Sequence, residues 1–269
     1  MQKKKINGID LCYKDQGSGP ALVFIHGLGE NAASWDAQID FFSQTFRTIT
    51  PDLRGHAQSG DGDQFITMSL MAEDIIALLQ SLDIEKAHFV GLSMGGLLCQ
   101  EIAKTHRSMI LTMTLADAAG FYPEEMSGPG LEVRLNRIDT LPMQELGELI
   151  AIAACRPDPD PEVFEKARKM FQANRQAPYR QATYSTLKAD YRDVHAAMAD
   201  IPVLILVGEL DKTTPLAFAQ YLNVHLQNSK LQIIPNAAHM SKMENPQAFN
   251  RALLEFLTPF APQACLPLL

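Results

Sequence analysis

The chain has 269 residues, 46% of them hydrophobic, and a formal net charge of −8; this suffices for one substantial core, or one core carrying an inserted subdomain. Acid is in excess and no basic run goes beyond Lys3-Lys4-Lys5, so nucleic acid is excluded as the expected partner. No apolar segment is long enough to span a bilayer, and the basic start MQKKKINGIDLCYKD is followed by no apolar stretch of signal-peptide length, so a cytoplasmic protein with no membrane partner is expected.

Lys3 to Ile6 and Ile9 to Lys14 read as a strand pair joined through Asn7-Gly8. Gln16 to Pro20 is a turn, and Ala21 to Ile25 is the continuous apolar run of a strand buried on both faces, ending in His26-Gly27-Leu28-Gly29. Trp35 to Phe42 reads as a helix and Arg47 to Thr50 as a short strand, before a polar loop through Pro51-Asp52-Leu53-Arg54-Gly55-His56 to about Gln64. Met68 to Leu82 is an amphipathic helix with Thr67 or Ser69 as its cap. Ala87 to Leu92 and Ile110 to Ala116 are further apolar strands, and between them Leu97, Leu98, Ile102 and Ala103 share one helical face. Strands alternating with helices at this rhythm predict a mostly parallel sheet with helices on both faces.

From Phe121 strand-like runs disappear until Val203. Helical patterns cover Leu131 to Ile138, Met143 to Ala154, Glu162 to Asn174 and Tyr179 to Lys188, punctuated by Pro157, Pro159, Pro161 and Pro178. They predict a helical insertion over residues 121–198, too small to build a large core alone and obliged to lean on the sheet. Residues 1–120 and 199–269 then form the α/β core. Its second part adds strands at Val203 to Val207 and Leu231 to Ile234, and helices at Leu216 to Leu226 and Pro246 to Leu257, the last with Asn245 as cap and Pro246 at its first position. The end, Pro259 to Leu269, has no clear pattern. Cys12, Cys99, Cys155 and Cys265 are scattered without zinc-ligand or redox spacing, so neither a metal site nor a disulfide framework is expected, and Cys99 reads as a small core residue.

Gly91-Leu92-Ser93-Met94-Gly95 fits the nucleophile elbow G-x-S-x-G, with a buried strand before it and an amphipathic helix after it. The glycines leave room for a sharp turn, and the strained turn pushes the Ser93 hydroxyl out above the sheet. A serine hydroxyl is a poor nucleophile at neutral pH and needs a histidine base, which needs an acid to orient it; in chain order these follow an elbow as acid, then histidine. Of the histidines after the insertion, His239 follows a strand directly, where an open parallel sheet keeps its site, whereas His225 lies within a helix and His195 near the end of the insertion. Asp211, in Gly208-Glu209-Leu210-Asp211 after a strand, is the chosen acid; Glu209 is its neighbour, and Asp117 is the runner-up, otherwise read as a helix or turn cap. The backbone N–H groups of Met94 and Leu28 are the expected oxyanion donors, and His26 is expected to shape the loop that carries Leu28.

HGLG at His26 to Gly29, DLRGH at Asp52 to His56, GLSMGG at Gly91 to Gly96, GELD at Gly208 to Asp211 and AAHMSKMENP at Ala237 to Pro246 together resemble the α/β-hydrolase superfamily along nearly the full chain. Within it, HGLG, Trp35 to Gln38, AHFVGLSMGG and Ala237-Ala238-His239 look most like the 3-oxoadipate enol-lactonase group and its esterase relatives. Ala57 departs from the pattern, since relatives usually carry glycine there, in a loop expected to lie away from the triad. The resemblance implies an α/β-hydrolase fold with a mostly parallel eight-stranded sheet and a helical cap. It further implies attack of Ser93 on an ester or lactone carbonyl, with His239 as base and Asp211 as its orienter, no metal or organic cofactor, and a small-molecule substrate; a homodimer is left open.

The same triad serves carbon–carbon bond hydrolases of ring-cleavage products, but those relatives usually carry an aromatic residue after the histidine, where this chain has Met240. A ligand receptor that keeps the hydrolase shell is the non-enzyme alternative, and it would show at most a single slow acylation event. Arg134, Arg137, Arg156, Arg168, Lys169, Arg175 and Arg180 are candidates to pair with a substrate carboxylate, although each taken singly reads as a solvated helix face, and Met126, Met143, Met170 and Met198 read as packing.

Overall fold

The structure, a computed structural model, describes residues 1–260; Cys265 and most of the patternless end lie outside the described residues. Strands β1 (Gln2–Ile6), β2 (Ile9–Gln16), β3 (Ala21–Ile25), β4 (Arg47–Pro51), β5 (Ala87–Leu92), β6 (Ile110–Ala116), β7 (Val203–Gly208) and β8 (Ser229–Ile234) form one sheet in the order β1-β2-β4-β3-β5-β6-β7-β8. β1 and β2 are joined by the expected hairpin, with φ of 43° at Asn7 and 83° at Gly8, the positive pair that a two-residue hairpin turn requires. β2 runs antiparallel to both neighbours and the other pairings are parallel.

The helices are α1 (Asp36–Phe42), α2 (Met68–Ser81), α3 (Met94–Thr105), α4 (Glu124–Ser127), α5 (Pro129–Thr140), α6 (Met143–Ala154), α7 (Pro161–Gln172), α8 (Gln176–Leu187), α9 (Leu216–His225), α10 (Ser241–Glu244) and α11 (Pro246–Leu257). The apolar strands bury both faces by alternation. Val23 and Ile25 of β3, with Val203, Ile205 and Val207 of β7, join the core shared with α2, α3 and α9. Leu22 and Phe24, with Leu204 and Leu206, join the opposite core under α1 and α11. A period of two with every residue apolar is what a strand covered on both sides needs.

Helices α4 to α8 lie between β6 and β7. Their neck is closed by a bridge between Phe121 and Asp190 and by the Tyr191 N–H donating to the Gly120 carbonyl at 2.9 Å. They make two small apolar clusters, and each takes in a residue from the α/β part. One gathers Ala151, Ala154, Phe171 and Met240; the other packs Ile138, Leu146 and Tyr179 against Leu28. Helices this few bury too little against one another to stand alone.

Several local expectations are revised. Thr67, not Ser69, caps α2, accepting from the Leu70 N–H. Pro178 does not interrupt its helix: it sits in the first turn of α8, where no N–H has an intrahelical partner to lose. The Trp35 helix opens as a 3-10 turn from Ala32, capped by Asn31. The four-residue helices α4 and α10 carry too few residues for a periodic signal.

Ala57 has φ of 43°, in the region that costs an L-residue with a Cβ about 1–2 kcal/mol. Replacing Ala57 by glycine removes that steric cost, and the gain is partly offset by the greater entropy of the unfolded chain. The expected outcome of Ala57→Gly is a gain of about 0.5–1 kcal/mol, read as a higher denaturant midpoint with an unchanged slope.

Candidate active site

Ser93 stands between β5 and α3 at φ 55°, ψ −116°, a strained backbone for any residue but glycine. A Cβ on Gly91 would lie 2.1 Å from the Gly95 carbonyl oxygen, and one on Gly95 would lie 2.2 Å from that of Ile25. Only glycine lets strand, turn and helix approach that closely. The Ser93 N–H donates to the Ala116 carbonyl at 2.9 Å, pinning the turn to the end of β6. Ser93 is 8% exposed, and that exposure opens on a cavity of about 340 Å³ which His239 also lines.

Asp211 follows β7 and His239 follows β8, as expected. His239 Nδ1 lies 2.9 Å from Asp211 Oδ2; a carboxylate partner puts the proton on Nδ1 and leaves Nε2 with its lone pair. The second Asp211 oxygen accepts from the backbone N–H groups of Thr213 at 2.7 Å and Thr214 at 3.1 Å. Thr214 Oγ1 stands 2.7 Å from Asp211 Oδ2 and 2.8 Å from the Asp117 carbonyl oxygen. Burial works against charge on both partners, yet attraction between them wins: Asp211 is held below the ordinary carboxylate range and His239 above the ordinary histidine range. The His239 N–H donates to the Ala154 carbonyl at the end of α6, 3.0 Å away.

Asp117 is not a cap. It is fully buried at φ 45°. Its Oδ1 accepts from the Gly208 N–H at 2.7 Å, and its Oδ2 shares a short hydrogen bond with Ser241 Oγ. Burial and the nearby Asp211 charge push its carboxyl up to about 8, which favours its protonated form. Asp117 therefore ties the ends of β6 and β7 to α10. Glu209 is exposed and holds the Asn236 N–H at 3.0 Å. His195 is buried against Gln100 Oε1 at 2.9 Å, and His225 is exposed on α9, bonded to its own helix carbonyl.

Leu28 lies in the turn closed by the Glu30 N–H donating to the Gly27 carbonyl at 3.1 Å, with Gly29 at φ 77°. Among the described residues, neither the Leu28 nor the Met94 N–H has an intramolecular acceptor. His26 behaves as a loop shaper. Its Nε2 accepts from the Leu53 N–H at 3.0 Å, so its Nδ1 donates to the Gly27 carbonyl at 2.8 Å; burial and neighbouring charge hold it well below the ordinary range, hence neutral. The Leu53 contact fastens the DLRGH loop to the turn carrying Leu28.

The basic side chains sort cleanly. Arg168 and Lys169 pair with Glu165 at 2.7 and 3.2 Å, Arg180 pairs with Asp139 at 2.8 Å, and Arg175 pairs with Asp61. Arg156 contributes its backbone N–H to Glu244 at 2.7 Å. Arg134 and Arg137, three apart on α5, line the same cavity as Ser93 and His239 and form no ion pair among the described residues. Tyr122 lines it too, its phenol pushed up to about 12 by burial and therefore neutral. Met143, Met170 and Met198 are packing residues, whereas Met126 lines the cavity. Thr214, Ser241, Glu30 and Lys242 also join the site; Ser241 and Lys242 lie within AAHMSKMENP, but nothing in that string marks them for a role.

The alpha/beta hydrolase fold family model matches residues 20–246. The chain is 30% identical over 239 residues to 3-oxoadipate enol-lactonase 1 of Acinetobacter baylyi, covering 86% of each chain. Among solved structures it is similar to a thermophilic esterase from Thermogutta terrifontis with malate bound, at 27% identity and TM-score 0.91, covering 97% of this chain and 100% of that one. It is also similar to the enol-lactonase from Burkholderia xenovorans LB400, at 26% identity and TM-score 0.88, covering 96% and 100%. With the eight-stranded sheet and the strained serine turn between β5 and α3, these matches show that the chain belongs to the alpha/beta hydrolase fold family.

Proposed function

We propose that this carboxylic-ester or lactone hydrolase works through an acyl-enzyme on Ser93. The observation that carries the reading is the His239–Asp211 bond of 2.9 Å beside a cavity lined by both Ser93 and His239. In this mechanism His239 Nε2 takes the Ser93 proton as the hydroxyl oxygen attacks the carbonyl carbon. The tetrahedral oxyanion rests on the N–H groups of Leu28 and Met94, each contributing about 3 kcal/mol to the transition state. His239 then protonates the leaving alkoxide; next it takes a proton from water as the water oxygen attacks the acyl carbon, and returns it to Ser93 Oγ as the Ser93–acyl bond breaks and the acid leaves. Asp211 stabilises the imidazolium and keeps the ring in its productive tautomer. Residues 121–198 act as the cap over the cavity.

For the substrate we favour a lactone or ester that also carries a carboxylate. Arg134 and Arg137 stand unpaired in the cavity wall, and a guanidinium is matched to a carboxylate by charge and by paired N–H geometry. The names of the similar enol-lactonases accord with this reading. The same reading keeps the protein in the cytoplasm, in line with the free thiols of Cys12, Cys99 and Cys155.

The direct test is Ser93→Ala. Hydrolysis of a short p-nitrophenyl ester should fall to background while the thermal transition stays in place; retained turnover would remove Ser93 from the mechanism. Asp211→Asn should lower kcat on the order of 10³–10⁴-fold through loss of the productive tautomer, and Asp117→Asn far less, since an amide can replace a protonated carboxyl in both of its hydrogen bonds. The reverse ranking in steady-state assays would transfer the orienting role to Asp117. Arg134→Gln with Arg137→Gln should raise KM for a carboxylate-bearing lactone at least about tenfold, the worth of a charge-assisted bond, while leaving KM for an uncharged ester nearly unchanged. An equal change for both substrates would exclude the anchor.

A further inference from the structure

We propose that the buried Glu30–Lys242 ion pair is the positioning element that holds the oxyanion turn against the loop carrying His239. The inference rests on the acyl-enzyme reading and adds to it two residues that touch neither the nucleophile nor the base.

Glu30 closes the Gly27–Glu30 turn through its N–H, and its side chain folds back over that turn. A Cβ on Gly27 would lie 2.6 Å from Glu30 Oε1, so the carboxylate rests on the backbone immediately before Leu28. The other oxygen, Oε2, accepts from Lys242 Nζ at 2.6 Å, with side-chain exposures of 2% for Glu30 and 0% for Lys242. Lys242 lies on α10, three positions after His239. Its ammonium also faces the Trp35 ring, 4.7 Å from the centroid, and its carbonyl accepts from Gln38 Nε2 at 3.1 Å. One direct bond thus joins the turn bearing a proposed oxyanion donor to the segment bearing the proposed base.

A buried ion pair is weak support for stability, because desolvating both charges offsets their attraction. Its distinctive property is direction: the ammonium and carboxylate have one good separation, whereas two apolar side chains in the same volume can slide. The site needs that precision. The oxyanion must meet the Leu28 N–H at the moment His239 holds the serine proton, and a displacement near 1 Å costs about 10² in rate. Glu30 also lines the cavity, and its charge joins that of Asp211 in favouring the His239 imidazolium.

The experiment compares Glu30→Gln/Lys242→Met, Glu30→Gln and Glu30→Asp with the native protein, using a p-nitrophenyl ester, active-site titration to count competent enzyme, and thermal unfolding. The double variant leaves no orphaned charge and should fold; per competent site its kcat should fall roughly 10–100-fold with KM within about twofold. His239 must be neutral to act as base, so activity is lost as pH falls through its raised pKa. Removing the Glu30 charge lowers that pKa, and the acid limb of kcat/KM in Glu30→Gln should move to lower pH. Glu30→Asp restores the charge without the reach, so the limb should return while kcat stays low. Native kcat in the double variant would overturn the proposal, as would a loss matched by unfolding alone with the acid limb unmoved. If Ser93→Ala retains turnover, the underlying mechanism fails; if it is silent and the double variant turns over normally, only the positioning role fails.

Discussion

The backbone of Ser93 is the constraint on which the site depends. A residue with a Cβ held at φ 55° stores about 1–3 kcal/mol, and it persists because its surroundings allow nothing else. β5 is buried throughout, Gly91 and Gly95 are packed to backbone contact, and the Ser93 N–H is taken by the end of β6. The parallel order β3-β5-β6-β7-β8 then places five strand ends side by side at the carboxyl edge. The Leu28 turn, Ser93, Asp117, Asp211 and His239 each follow one of those strands. The sheet makes neighbours of residues more than two hundred positions apart, and no loop has to reach far to do so.

Under that edge the interior carries an unusual density of ionisable groups. Asp211, Asp117, Glu30, His239 and Lys242 are all buried. They coexist because most have a partner of opposite sign and one is pushed toward its neutral form: Lys242 answers Glu30, His239 answers Asp211, and burial raises the Asp117 carboxyl. Ionising Asp117 would set a second buried carboxylate close to Asp211, and that repulsion is one cause of its raised pKa.

Much of this was legible in the sequence, for identifiable reasons. Strands buried on both faces are continuous apolar runs, so Ala21 to Ile25, Ala87 to Leu92 and Ile110 to Ala116 had clear bounds, matching β3, β5 and β6. The elbow is legible because sterics force its glycines. Asp211 and His239 are singled out by their place after strands, where topology limits the options, and the structure brings them within 2.9 Å. Asp117 was misread because burial and a partner such as Ser241 are properties of the folded chain. Glu30 and Lys242 each look like an ordinary surface charge. Their pairing depends on α10, four residues long, and so escapes any periodic signal. Pro178 reads as a boundary because proline is disfavoured in helix interiors, a rule that does not hold in the first turn, where it sits.

The helices between β6 and β7 are not merely laid over the site. The His239 N–H is satisfied by the Ala154 carbonyl, and Met240 is a member of the α6–α7 apolar cluster. Glu244 receives the Arg156 N–H on one oxygen and the Ala238 N–H on the other, each at 2.7 Å. The same helical region supplies Arg134 and Arg137 to the cavity wall and packs Tyr179 against Leu28. The groups proposed to choose the substrate therefore share a framework with the proposed base and with one proposed oxyanion donor. A shift of α6 relative to the sheet would have to break the Ala154 bond or carry the His239 backbone along, so the α6 wall of the cavity and the proposed base are mechanically coupled.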